Sequence, residues 1–265
     1  MGVYKFTDMK TNSLITIFLI VASCFGLAAQ DKELTLNEKI AINNLKDHVA
    51  YKRKEAVAKQ VAFPLERCSY FGYIIHDQKE FISSFDTIFD SKQIEEFQKS
   101  KWEYIFTPVY EYYYLHGSGY LGGFSDEGIL YLTYIQLSET EQQYIKELIE
   151  KEKQTLHISL RNYMEPVCTI LAGKYRIRID RMPDNELRYA SWKKDAEISA
   201  APDLVILGGK TWGNRWGTNY DFKNGEYEYS LSDYICADEG PYFMVSKNNQ
   251  TILEIKSDDV KIIEF

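Results

Sequence analysis

The sequence predicts an α+β protein: an N-terminal helix, a small unit of helices with an antiparallel meander, and then an all-β sandwich or barrel-like unit. Three observations predict it. A short basic start runs into an apolar leader, helical periodicity with cap residues is confined to the chain before Pro166, and after Pro166 strand-like runs recur about every eight to twelve residues.

The leader comes first in the chain. Lys5 and Lys10 run into Leu14-Ile15-Thr16-Ile17-Phe18-Leu19-Ile20-Val21-Ala22, and Gly26-Leu27-Ala28-Ala29 offers small side chains before Gln30. That is the three-part layout of a secretion signal over residues 1–29, too short in its apolar part to span a bilayer. A second reading makes Val21-Ala22-Ser23-Cys24 a lipobox with Cys24 lipidated, against which the apolar Phe25-Gly26-Leu27-Ala28-Ala29 argues. Either way the expectation is an exported protein of the periplasm or cell surface, touching membrane only through a lipid anchor on Cys24. Removal of the leader takes the net charge from −8 to −9. Nucleic acid and anionic membranes are poor partners for such a chain.

Residues 30–62 read as a helix or spacer. Thr35-Leu36-Asn37-Glu38 is a capping box, and Ile40, Leu45, Val49 and Ala56 roughly follow helical spacing. The spacing predicts one helix over 36–60, loosely packed because the charged run Tyr51-Lys52-Arg53-Lys54-Glu55 leaves a thin apolar stripe. Residues 63–172 form the α+β unit. Asp77 caps a helix carrying Phe81, Phe85, Ile88 and Phe89, and Ser91 starts a second with Ile94 and Phe97. Strands over Trp102–Phe106, Val109–Leu115 and Ile129–Leu137 follow, and Ser138-Glu139-Thr140-Glu141 opens a helix that packs on them. Residues 173–265 are the β-rich domain, with Asn224-Gly225 predicting a type I′ hairpin.

Familiar catalytic signatures fail on context. Gly117-Ser118-Gly119-Tyr120-Leu121-Gly122 spells a dinucleotide fingerprint, but a strand follows where a helix must, so it reads as a hairpin with glycines at positive φ. Gly208-Gly209-Lys210-Thr211 lacks the leading glycine of a phosphate loop, Leu204 holding that place. His48, His76, His116 and His157 are scattered, and none has a second ligand at metal-site spacing. No catalytic residue, metal ligand or cofactor site is assigned. Cys68, Cys168 and Cys236 remain after leader removal, an odd number whose pairing stays open.

One segment has the composition of a binding surface. Trp212, Trp216 and Tyr220, with Trp192 nearby in sequence, flank Gly213, Asn214, Arg215 and Gly217, which can present flat rings on a polar loop with Arg215 free to meet an acid. Core packing is the competing reading, since a small β-domain needs large aromatics inside.

Several stretches, taken together, resemble a family of exported proteins of Bacteroidetes-type bacteria that carries no assigned activity. They are Phe63-Pro64-Leu65-Glu66-Arg67, Glu80-Phe81 with Phe85-Asp86-Thr87-Ile88-Phe89, Leu156-His157-Ile158-Ser159-Leu160-Arg161-Asn162, Tyr175-Arg176-Ile177-Arg178-Ile179-Asp180, Arg188-Tyr189-Ala190-Ser191-Trp192, Pro202-Asp203-Leu204 and Asn224-Gly225-Glu226-Tyr227. The resemblance covers most of 61–230 and implies the same two-part layout, with no catalytic residues to carry over. The chain departs from it over Trp102 to Gly123, where a tyrosine-rich segment replaces a Trp-Arg-Gly turn pattern.

Function is therefore an expectation of class. The leading reading is a non-catalytic envelope protein that binds a protein partner, of inhibitor or immunity type, its acidity suited to a basic partner. The alternatives are a binder of glycan or peptidoglycan fragments through Trp212 and Trp216, and an enzyme with an unrecognised site.

Overall fold

A computed structural model describes residues 32–107, 112–214, 217–232, 240–256 and 259–263. The leader with Cys24, the Tyr110–Glu111 step, Arg215, Trp216 and Cys236 lie outside the described residues. The described chain is α+β and divides into two units. One holds Lys32–Cys68 and Tyr73–Lys146; the other holds Ser69–Gly72 and the chain from Glu147. The division falls within a helix, not at the expected boundary of 173.

In the first unit, helices α1 (Leu36–Ala50), α2 (Lys54–Ala58), α3 (Gln78–Ile88) and α4 (Ser91–Lys99) accompany a short hairpin of β1 (Leu65–Cys68) and β2 (Tyr73–Ile75). A four-stranded antiparallel sheet runs β3 (Trp102–Thr107), β4 (Tyr112–Gly117), β5 (Tyr120–Phe124), β6 (Leu130–Ile135) in chain order. The meander is thus as expected, with one strand more, because the Ser118-Gly119 turn at φ 25 and 92 folds β5 back on β4.

The predicted helix over 36–60 is two helices. Lys52 takes φ 50, Arg53 N–H donates to His48 C=O at 2.8 Å and Lys52 N–H to Val49 C=O at 3.1 Å, so a Schellman motif ends α1 with a lysine in the usual glycine place. Nor is α1 loosely packed. Ile42, Leu45 and Val49 are buried in the unit's core, and Lys46 Nζ donates to the carbonyls of Gln98 (3.0 Å) and Ser100 (2.6 Å) at the end of α4. A narrow stripe suffices because a cation at the neighbouring helix's C-terminus adds to it. Phe81, Phe85, Phe89 and Phe97 form the centre of this core, each fully buried, with ring centroids 5.2–6.5 Å apart along the chain of contacts. Burying each such ring is worth about 1.5–3 kcal/mol.

Helix α5 (Glu139–Thr155) opens where expected, and with a capping box: Glu141 N–H donates to Ser138 Oγ at 3.1 Å and Ser138 N–H to a Glu141 carboxylate oxygen at 3.0 Å. The second unit is built on a nine-stranded antiparallel sheet. Its strands are β7 (Glu165–Ala172), β8 (Tyr175–Arg181), β9 (Leu187–Lys193), β10 (Leu204–Asn214), β11 (Gly217–Asn224), β12 (Tyr227–Ser232), β13 (Tyr242–Lys247), β14 (Gln250–Lys256) and β15 (Val260–Ile263). β7 to β14 pair in chain order, and β15 returns to the far edge of β7. Residues 257–259 separate β14 from β15, and Gly173 N–H donates to Asp259 C=O at 2.9 Å, so the sheet curls into a nearly closed barrel. Ile170, Ile177, Ile179, Tyr189, Phe222 and Phe243 fill its interior.

The β11–β12 hairpin is present but its turn differs from expectation. Asn224 still pairs with Tyr227, so Gly225 and Glu226 are the central residues; Gly225 has φ 62 and Asn224 stays in the strand. Only one positive φ is used, the type II′ pattern. The type I′ pattern appears instead at Asn248 and Asn249, with φ 49 and 64, between β13 and β14.

Candidate functional site

β10 carries the candidate surface, and a single inserted residue aims it. Leu207 pairs with Arg188 and Gly209 with Leu187, leaving Gly208 unpaired at φ 80 as a bulge. Before it, Val205 and Leu207 face outward and Ile206 inward. After it the phase flips: Gly209 lies against the Phe222 ring, where a Cβ would fall 2.2 Å from the ring, and Lys210 and Trp212 face outward. Strict alternation without the bulge would have turned Trp212 into the barrel.

The outcome is an apolar row on the barrel wall. Val205 is 42%, Leu207 59% and Trp212 57% exposed. The indole is not loose, since Trp212 Nε1 donates to Asp221 Oδ2 at 2.6 Å while Ser230 Oγ donates to Asp221 Oδ1 at 2.6 Å. Asp221 stands diagonally across β11 from Trp212, the spacing at which long cross-strand side chains meet.

The other residues singled out in the sequence do not join this row. Tyr220 is only 6% exposed and packs with the barrel core, because it shares phase with Phe222 and the interior; a shelf that included it is corrected on that ground. Trp192 is 1% exposed, its Nε1 donating to Ala200 C=O at 3.0 Å. Trp212 and Gly217 sit in the paired strands of a β10–β11 hairpin, not in a flexible loop, and Arg215 and Trp216 lie outside the described residues. Cys68 ends β1 half-buried and Cys168 is buried on β7.

Two buried charge networks went unread in the sequence. In the barrel unit Arg178 donates through Nε to Asp180 Oδ1 (2.6 Å), through Nη1 to Glu152 Oε1 and Tyr70 Oη (both 2.6 Å), and through Nη2 to Glu152 Oε2 (3.1 Å). Arg188 closes the other side, donating to Asp180 Oδ2 at 2.7 Å and to Leu160 C=O at 2.6 Å. Tyr70 and Tyr163 hydroxyls each donate to Glu152 at 2.5 Å, and the Arg178 guanidinium lies 5.0 Å from the Tyr163 ring centroid. Burial pushes the Glu152 carboxyl upward, but the Arg178 and tyrosine hydrogen bonds outweigh it and hold the group below its ordinary range. Burial, and for Tyr163 the Glu152 charge, pushes both phenols well above theirs. The signal was present: Arg176, Arg178 and Asp180 alternate with Ile177 and Ile179, an outer face of charges on a strand whose inner face is core. Nothing in a single sequence says that this outer face is covered.

The helical unit holds the second network. Arg67 and Glu141 are both fully buried, joined by Nε to Oε1 at 2.7 Å and Nη2 to Oε2 at 2.5 Å, and Arg67 also reaches the carbonyls of Ile135 (2.5 Å) and Gln136 (3.2 Å). Tyr73 Oη donates to Glu141 Oε1 at 3.1 Å, and burial with that carboxylate pushes the phenol up to about 12. Each network is charge-balanced and its carboxylates are bonded on both oxygens, an arrangement that fixes structure and leaves no carboxylate poised to take a substrate proton. Among the described residues no group of three or more His, Cys, Asp or Glu is gathered to hold a metal ion. The chain matches no protein-family model, no curated protein and no solved structure.

Proposed function

We propose that the protein is an exported, non-catalytic binding protein of the cell envelope that engages a protein partner through the outer wall of its barrel. The observation that carries this reading is the row Val205, Leu207 and Trp212, exposed apolar side chains lined up on one strand of a rigid sheet. A large, rigid aromatic flanked by aliphatic groups is the composition of an interface anchor, and a barrel wall holds it without the ordering cost of a loop. Lys210 and Asp221 beside it supply a polar rim. The export signal over 1–29 and the acidity of the chain support an envelope location and a basic partner.

A second reading, a glycan or peptidoglycan-fragment binder, is favoured by one detail: the Asp221 hydrogen bond fixes the indole plane of Trp212, as stacking against a sugar face requires. One experiment separates the two. The intact exported protein and its Leu207→Ser/Trp212→Ala variant are each cross-linked in the native envelope and separately sedimented with purified peptidoglycan. The partner reading expects a cross-linked protein species that the variant loses, with sedimentation unchanged; the glycan reading expects the opposite. A folded variant that behaves as wild type in both assays overturns the wall as a binding surface.

A further inference from the structure

Helix α5 belongs to both units. The division of the chain falls between Lys146 and Glu147, in the middle of one continuous helix from Glu139 to Thr155. The segment 65–75 is shared in the same way: Ser69–Gly72 goes with the barrel unit, and β1 and β2 on either side of it go with the helical one.

Each shared element sends side chains into both buried networks. From α5, Glu141 enters the network of the helical unit and Glu152 that of the barrel unit. From 65–75, Arg67 and Tyr73 bond Glu141, and Tyr70 bonds Glu152. The two assemblies are alike in chemistry. In each, a helix carboxylate is held on both oxygens by a guanidinium and is bonded by phenol hydroxyls as well.

Little else grips the helix between these points. Glu141 and Glu152 are eleven residues apart, about three turns and 16 Å, and lie within about 20° of the same face. Of the residues between them only Ile149 is buried; Ile145 and Leu148 are half-buried and the rest are exposed. A helix with so narrow a buried stripe draws its stability from tertiary contacts rather than from propensity, and it forms or frays cooperatively. Lifting either carboxylate away leaves a buried guanidinium short of a counter-charge, a costly state.

We propose that α5 is a coupling rod. Loosening of either buried network frays the helix through its exposed middle and weakens the other network, so the two units open together. A partner that engages one unit therefore changes the stability of the other. This coupling is a property of the scaffold and holds whichever face of the barrel binds.

The test is amide hydrogen exchange on the full chain, read at Ile177 and Ile179 of β8 for the barrel unit and at Phe81, Phe85 and Phe97 for the helical unit. Glu152→Gln keeps the shape of the barrel network and removes its charge; it should speed exchange about tenfold or more at both sets of amides. If that variant does not fold, Tyr163→Phe, which removes one donor to Glu152, gives the same comparison on a smaller scale. Lys146→Gly/Glu147→Gly then weakens the rod at the division, at two exposed positions outside both networks. In that background Glu152→Gln should still speed the barrel amides about tenfold but the helical ones less than about twofold, the scatter expected of independent sites. Acceleration confined to the barrel amides in the parent chain overturns the proposal, because the units then open independently. Equal acceleration of the helical amides with and without the two glycines overturns it as well, because the coupling then does not run through α5.

Discussion

Breaking the Arg67–Glu141 pair tests most directly how the helical unit is held together. The pair has no solvent access on either side chain, and Arg67 ties Glu141 of α5 to the carbonyls that end β6. Arg67→Met leaves the Glu141 carboxylate with only Tyr73 Oη and Ser138 N–H as donors among the described residues, and orphans the carbonyl of Ile135. Removing one member of a buried ion pair costs about 3–5 kcal/mol because the survivor's charge stays buried without compensation. Against a typical total of about 5–15 kcal/mol, that is roughly a fifth or more of the stability. Glu141→Gln keeps the shape but leaves the guanidinium unbalanced, so its loss should be of the same order. The double variant Arg67→Met/Glu141→Met buries no charge and should lose less than the sum of the singles by at least about 2 kcal/mol. Urea denaturation measures the energies, with hydrogen exchange at the Phe81, Phe85 and Phe97 amides assigning the transition to this unit. Single-variant losses below about 1 kcal/mol, or additivity within about 0.5 kcal/mol, would refute the argument.

Acid should remove the Glu152 contribution to the barrel unit later than that of an ordinary carboxylate. Glu152 is held below its usual range, so its contribution is present above that range and is lost only as pH falls through the lowered value, an effect that a pH series of melting temperatures on wild type and Glu152→Gln will show. Alkali acts in the opposite sense on Tyr73: its contribution is intact below the ordinary phenol range and fades as pH rises towards about 12, so Tyr73→Phe should flatten the alkaline side of the stability curve. Gly209→Ala drives a Cβ into the Phe222 ring and should cost about 1–3 kcal/mol by overpacking. Gly225→Ala meets no atom within 4 Å and should cost only the strain of positive φ, about 1–2 kcal/mol, so a larger loss at Gly225 than at Gly209 in urea melts would contradict the barrel packing.

What the sequence determined by itself was local. The Thr35–Glu38 and Ser138–Glu141 boxes start helices where their side chains meet backbone amides three residues on, and the glycine and asparagine turns place the hairpins, because these signals act within a few residues and need no partner. The change from helices to strands was legible for the same reason, as periodicity is a property of neighbours. Tertiary structure decided whatever depends on distant chain. Arg178 and Arg67 look like solvated charges until Glu152 and Glu141 come to cover them, and the division within α5 follows from which distant elements each half meets. Trp212 and Tyr220 have equal claims to a binding surface as a string of letters; the extra residue at Gly208 sets one outside and the strand phase of β11 sets the other inside. A bulge changes side-chain phase by a single residue, and only the pairing register across β9 and β10 reveals that it is there.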